Sequence, residues 1–325
     1  MRDEFVRVLS EKAGQNKNIM LLTGDLGFGV LTEFAHRFPD QYLNVGVAEQ
    51  NMAGIAAGLA LEGKTVFTYS IANFNTMRCL EQIRNDICYH NANVKVVSVG
   101  GGFCYGPLGF SHHATEDLAI MGAMPNITVM APGDKMEASL TTSAACETPG
   151  PFYIRLGRGG EPLLYASEPL FAIGEAIEFH ASDCAVVAIL STGGILHNVL
   201  LAREILESRG IPCCIYSMHT LRPFDENLVR RLIDRVKIIV TVEEHIDFGG
   251  LGSRVACVVS AEPGYKPMVL RLGLKERFTS AVGDQEYLRE LNGLSPMTIA
   301  TAVAERLYTN GMAAPIDGQS PVSSR

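Results

Sequence analysis

Apolar positions along the chain alternate between two periods. Continuous apolar runs at Asn18–Thr23, Thr65–Tyr69, Val94–Val99, Asn126–Met130 and Phe152–Arg155 read as buried strands. Between them, helical spacing covers Val30–Phe38, Glu49–Leu61, Met77–His90 and Lys135–Cys146. The pattern weakens after Gly157-Arg158-Gly159-Gly160-Glu161-Pro162, where Leu163–Asp183 reads as a linker or small ribbon. A second series then starts. Strands are expected at Cys184–Leu190, Pro212–Ser217, Ile238–Val242 and Met268–Arg271, and helices at Gly194–Ser208, Asn227–Arg235, Gly250–Val259 and Pro296–Tyr308. Strand–helix alternation with fully apolar strands predicts parallel sheets covered on both faces. The expected fold class is therefore α/β, two doubly wound domains with mostly parallel sheets. The expected boundaries are 1–162 for the first domain, 163–182 for the linker, 183–310 for the second domain and 311–325 for a small, polar, disordered tail.

Composition narrows the class. With 47% hydrophobic and 19% charged residues, the chain can bury sizeable cores. A net charge of −8 leaves no basic footprint for nucleic acid. Met1-Arg2-Asp3-Glu4 runs straight into an amphipathic pattern, and no apolar stretch reaches membrane-spanning length, so a cytoplasmic protein is expected. The eight cysteines are scattered without a CxxC pair, which favours reduced core thiols over disulfides or zinc.

The chemistry concentrates around Glu49. Beyond it, the helix Glu49–Leu61 is almost free of charge, with small residues at Ala53, Gly54, Ala57 and Gly58. Glycine inside a helix costs up to about 1 kcal/mol against alanine, so two of them imply that another surface packs closely on this helix. That surface is expected to be a subunit interface. A carboxylate at the first turn of such a helix is costly unless paired or neutralised. Glu49 is either the cap of a core helix or a working group.

Residues 44–60, Asn44 through Glu49 to Ala60, resemble the pyrimidine-binding domain of transketolases, and the likeness runs from about residue 1 to 305. The resemblance implies that Glu49 matches the glutamate that bonds N1′ of the thiamine aminopyrimidine. It places Asp25, in Gly24-Asp25-Leu26-Gly27, near the cofactor, although a helix N-cap is the plainer reading of that residue. Phe74, in Ser70-Ile71-Ala72-Asn73-Phe74, matches the aromatic that stacks on the pyrimidine, in register with Glu81-Gln82-Ile83-Arg84-Asn85; the alternative is a core phenylalanine. Gly109-Phe110-Ser111-His112-His113 matches the family's Gly-x-Thr-His-Gln, so that His112, with His113, meets the substrate's hydroxyl and carbonyl end. A metal on the His pair is the competing view, but no carboxylate stands at helical ligand spacing. Arg158 matches the arginine that grips the substrate phosphate, and Arg2 a second phosphate ligand. Val242-Glu243-Glu244-His245 and Gly249-Gly250-Leu251-Gly252 resemble the family's C-terminal domain, which implies structural or interfacial roles for Glu243, Glu244 and His245.

Three positions depart from the family pattern: Leu108 replaces an Asp, Gly100 a His and Gly29 a Ser. Each removes a polar group from the substrate side, so a different sugar is expected, either deoxy or modified, nucleotide-linked or sulfonated, with no choice among these. No Gly-Asp-Gly occurs in the chain; Gly24-Asp25-Leu26 and Gly283-Asp284-Gln285 both fail at the third residue. The expectation is a thiamine-diphosphate-dependent, transketolase-like transferase, active only with a partner subunit. That partner carries Gly-Asp-Gly…Asn, holds Mg²⁺ or Ca²⁺, and shares thiamine diphosphate in an α2β2 assembly; this chain itself supplies no metal ligand. Two alternatives stay open: the β subunit of a 2-oxo acid decarboxylase or dehydrogenase (or a 1-deoxyxylulose-5-phosphate-synthase-like acyl transferase), and a non-catalytic scaffold.

Overall fold

The computed structural model describes residues 1–311; residues 312–325 of the expected tail lie outside the described residues. The first half of the chain runs α1 (Arg2–Gln15), β1 (Ile19–Thr23), α2 (Thr32–Arg37), β2 (Tyr42–Asn44), α3 (Glu49–Leu61) and β3 (Thr65–Ile71). It continues with α4 (Leu80–Gln82), β4 (Val94–Val99), α5 (Asp117–Gly122), β5 (Thr128–Met130), α6 (Lys135–Glu147) and β6 (Phe152–Leu156). The second half runs β7 (Ile177–His180), β8 (Val187–Thr192), α7 (Leu196–Ser208), β9 (Cys213–Ser217), β10 (Thr220–Arg222) and α8 (Glu226–Ile233). It ends with β11 (Ile238–Ile246), α9 (Leu251–Ala261), β12 (Met268–Leu274), α10 (Gln285–Leu291) and α11 (Pro296–Thr309). Helix starts follow capping chemistry. Asp134, Asp225, Asp284 and Ser295 each accept a backbone N–H of the turn they open, and Pro296 takes the first helical position where no N–H is needed.

Two sheets result, with strand orders β10-β5-β6-β4-β3-β1-β2 and β12-β11-β8-β9-β7. The inner strands β4 and β8 are buried at every position, as expected of parallel strands with helices on both faces. Three strands depart from the sequence expectation: β2, which was not among the expected elements, β7 and β10. β7 lies inside the stretch expected to be a linker and pairs antiparallel with β9. β10 leaves the second series and pairs antiparallel with β5 at the edge of the first sheet. Helices α1, α5 and α10 were not among the expected elements. The expected helix Met77–His90 is a composite, with a tight turn at Met77–Cys79, α4, and wide turns over Ile83–Cys88.

One of three apolar clusters spans both halves and joins Met52, Val66 and Ile83 to Leu190, Leu228 and Val255. A buried polar lock closes the joint. The Glu244 carboxylate accepts bonds from Arg289 Nε at 2.6 Å, from Gln285 Nε2 at 2.9 Å and from the Phe103 N–H. Arg155 donates to Asp117 at 2.9 Å and to the carbonyls of Ala114 and Glu244 at 2.7 and 2.9 Å. Only glycine fits at position 102, where φ is +63° and a Cβ would stand 2.3 Å from Glu244 Oε1. Glu243 accepts the N–H groups of Leu251 and Gly252, both at 2.8 Å, at the start of α9, and His245 Nε2 accepts the Ala119 N–H at 3.2 Å. All three residues therefore serve the architecture. The eight cysteines are all free; four are buried, while Cys184 and Cys257 are exposed rather than core residues. Among the described residues, no helix is long and apolar enough to cross a membrane.

Candidate active site

Open parallel sheets place ligands beyond the carboxyl ends of their strands. At that edge of the first sheet, the segments after β6, β4, β3 and β1, and the helix start after β2, carry Arg158, His112, Phe74, Asp25 and Glu49. The spatial order of the strands lays these residues out as a row.

Glu49 anchors one end. Its side chain is 1% exposed, yet it caps nothing: Ala48 is the N-cap of α3 and makes no side-chain cap bond. The carboxylate instead accepts 2.8 Å from Arg78 Nη1, with Ser70 Oγ at 3.4 Å from its other oxygen. Its surroundings are strongly desolvating: burial first, then the Glu49 charge, pushes the neighbouring Cys79 thiol up to about 12. Arg78 is 45% exposed and lies over the Phe74 ring, its guanidinium carbon 4.5 Å from the centroid. Phe74 is half-buried, and its ring meets His112 edge-on at 5.2 Å. It is not a core residue. His112 has Nδ1 3.0 Å from Ser111 Oγ, a contact that orients the imidazole. Its ring also lies 6.4 Å from Tyr105, and the Arg158 guanidinium sits 5.6 Å from the Tyr105 centroid. The row thus reads Glu49, Arg78, Phe74, His112, Tyr105, Arg158 without a break. Arg2 reaches the same end, since a Cβ added at Gly159 would be 3.6 Å from Arg2 Nη2. An interdomain cleft of about 330 Å³ opens beyond Arg158 towards His197 and Arg289.

Two expected site residues take no part in this series of contacts, although Asp25 borders the same edge of the sheet. His113 does not join the row. It is buried, edge-on to Phe103 at 5.1 Å, with Nε2 3.4 Å from the Gly106 carbonyl, and burial lowers its pKa. His113 faces a second cavity, which Phe110, Ser111 and Phe278 also line. Asp25 is exposed, in a left-handed conformation with φ +54°. Its N–H donates to Asn44 Oδ1 and its carboxylate accepts from Asn44 Nδ2, both at 3.0 Å. It is no helix cap, because α2 starts seven residues later at Thr32.

Sequence reasoning missed Arg78 and Tyr105. Arg78 stands four residues after Phe74, across turns rather than on one helix, so helical spacing does not signal it. Tyr105 was signalled only as an aromatic inside a glycine-rich loop. No group of three or more His, Cys, Asp or Glu is placed to hold a metal among the described residues.

Residues 1–161 match the transketolase pyrimidine binding domain, and residues 182–299 the transketolase C-terminal domain. Over 311 residues the chain is 37% identical to a putative transketolase C-terminal section of Methanocaldococcus jannaschii, covering 94% of this chain and 96% of that one. It is 34% identical over 264 residues to one subunit of the apulose-4-phosphate transketolase of Phocaeicola vulgatus, covering 81% and 84%. Among solved structures, a split gene transketolase described as an inactive beta4 tetramer superposes with a TM-score of 0.83 at 34% identity, over 94% of this chain and 97% of that one.

Proposed function

Because the chain belongs to the transketolase family, with that family's pyrimidine-binding and C-terminal domains, we propose that it is one subunit of a two-component transketolase that moves a two-carbon ketol unit between sugars. The domains are taken as residues 1–162 and 183–310. The observation that carries this reading is a carboxylate that is 1% exposed, set in one row with an aromatic face and an imidazole.

The residues present fit half of a thiamine diphosphate site. A buried carboxylate beside a half-open aromatic ring suits the aminopyrimidine, whereas no Gly-Asp-Gly stands anywhere in the sequence for the diphosphate and its metal. Thiamine diphosphate, when bound, supplies the carbon nucleophile and the electron sink for the transfer. Glu49 holds the proton on the pyrimidine side, where a low-dielectric pocket strengthens the bond. Phe74 offers its ring face, and Asp25 borders the same edge. His112 moves a proton at the hydroxyl and carbonyl end of the sugar, oriented by Ser111 and braced by Phe74. Arg158 and Arg2 hold a distal anionic group. Mg²⁺ or Ca²⁺ and the diphosphate belong to a partner subunit carrying Gly-Asp-Gly…Asn, in a cytoplasmic α2β2 heterotetramer.

The test is reconstitution. This chain and a separately expressed partner with Gly-Asp-Gly…Asn are assayed alone and mixed, with a ketose donor and an aldose acceptor. Only the mixture is expected to bind thiamine diphosphate tightly and transfer the ketol unit. Tight binding and turnover by this chain alone would defeat the proposal, and turnover of pyruvate but not ketose would assign an acyl transfer instead.

A further inference from the structure

The departure at Gly100 has a physical counterpart. β4 ends at Val99, and Gly100 takes φ +94°, a conformation that side chains resist. The loop then returns, so that the Tyr105 ring lies where a side chain at position 100 would emerge. A Cβ at Gly100 would stand 2.2 Å from Tyr105 Cδ2 and 2.3 Å from Cε2. Backbone and ring together exclude any side chain at 100 and put a phenol in its place. Tyr105 is half-buried between Arg158, 5.6 Å from its ring centroid, and His112, 6.4 Å away. Burial raises its pKa, and the charges of Arg2 and then Arg158 oppose that rise; Arg2, whose Nε pairs with Asp3 Oδ1 at 2.9 Å, keeps Nη2 3.6 Å from where a Cβ at Gly159 would stand, one residue after Arg158. Its hydroxyl makes no hydrogen bond, and Arg158 no ion pair, among the described residues. A neutral donor and two guanidinium groups therefore converge at the end of the row opposite Glu49.

Resting on the reading above, we propose that Tyr105 is a specificity-determining residue: it donates a hydrogen bond to the terminal tetrahedral anion of the sugar, phosphate or sulfonate, which Arg158 and Arg2 grip. A phenol is a donor of fixed reach whose charge does not change near neutral pH, unlike an imidazole. The site then selects a sugar by where its terminal anion falls against the Tyr105 hydroxyl.

The variant Tyr105→Phe keeps the ring that fills the space over Gly100 and removes only the hydroxyl. In the assembled two-subunit enzyme, KM for a ketose ending in phosphate or in sulfonate should rise about tenfold at unchanged kcat, because a bond to a charged group is lost. KM for erythrulose, which has no anion, should not move, and the phosphate and sulfonate arms show which anion the site prefers. An equal change for all donors, or none, overturns the proposal. A second measurement is independent of turnover: inorganic phosphate binding to this chain alone, followed by thermal shift, should be about tenfold weaker in Tyr105→Phe. If the wild-type mixture transfers no ketol unit but that difference holds, the enzyme assignment fails and the anion site stands. Equal phosphate affinity in both proteins overturns the anion site itself.

Discussion

Glu49 and Arg78 form a half-open pair: the carboxylate is buried at the first turn of α3, and the guanidinium that bonds it at 2.8 Å is half in solvent and lies over Phe74. A wholly buried pair would be locked by the cost of separating its charges. Here the cation can turn outward, while the carboxylate stays at the carboxyl edge of the sheet. The pair stabilises Glu49 in the unmixed chain and leaves it reachable.

Glu49→Gln keeps the shape and an oxygen that can accept from Arg78, but removes the charge and the exchangeable proton. Turnover of the reconstituted enzyme should fall at least about a hundredfold, the low end of what proton-transfer groups contribute. Urea unfolding of the chain should move by no more than about 1 kcal/mol, and assembly should persist. A scaffold would show no loss of turnover.

Most of the fold and four of the six residues of the row were legible in the sequence, for reasons that differ residue by residue. Glu49–Leu61 is a helix with the expected ends because local spacing and one charge define it. β3 and β8 announce themselves as runs dominated by β-branched and apolar residues, and β4 does so despite Lys95. β7 and β10 do not, because strands of three or four residues carry almost no period, and each exists only through a partner distant in sequence. The wide turns at Ile83–Cys88 were hidden, since a helical pattern does not reveal its winding. Asp25, Phe74, His112 and Arg158 were placed by motif. The Glu49–Arg78 bond, across 29 positions, and the Tyr105 ring over Gly100 depend on loop geometry that no periodicity encodes.

The interdomain lock makes a stability prediction. Glu244 and Arg289 are both almost fully buried and bonded at 2.6 Å. Arg289→Met leaves Glu244 buried with only the Gln285 side chain and the Phe103 N–H as donors. It should cost about 3–5 kcal/mol in denaturant unfolding, as expected when a buried pair loses one member. The double variant Glu244→Met, Arg289→Met should recover part of that loss, because two apolar side chains leave no unpaired charge. A single-variant cost below about 1 kcal/mol would show that the joint does not depend on the pair.

Lys95 gives a pH signature. Its ammonium is buried in β4, donates to the carbonyls of Thr148 and Gly150 at 2.7 and 2.6 Å, and lies 4.1 Å from the Phe152 centroid. Burial lowers its pKa to about 7 in the folded chain, from 10.5 in the free side chain. Below about 7 both states carry the proton and folding bears the burial cost. Above it the folded chain releases a proton that the unfolded chain keeps, so the Lys95 contribution to stability rises with pH. Between pH 7 and 8.5 that contribution should grow by up to roughly 2 kcal/mol, while thiols that titrate near 8.5 once unfolded oppose it equally in wild type and variant. Unfolding midpoints measured across this window should show a more positive slope with pH in the wild type than in Lys95→Met. Parallel slopes would place the proton elsewhere.

The outer face of α3 makes the last prediction. Gly54 and Gly58 are exposed, and a Cβ added at either would meet nothing within 4 Å; Leu61, also on this helix, is 62% exposed. Nothing within this chain requires glycine at these positions, although each weakens the helix by about 1 kcal/mol relative to alanine. The requirement therefore lies outside the chain, in a surface that approaches the helix backbone closely, as expected of a subunit interface. Gly54→Leu should leave the isolated chain folded and slightly more stable, by up to about 1 kcal/mol, because the helix gains propensity and no neighbour is displaced. The same side chain should block close approach of a second subunit. In sedimentation velocity, the wild type, alone or mixed with its partner, should form a larger particle than the variant, whose unfolding midpoint should be equal or higher. If both chains assemble alike, α3 does not face a subunit, and the two glycines have no structural account.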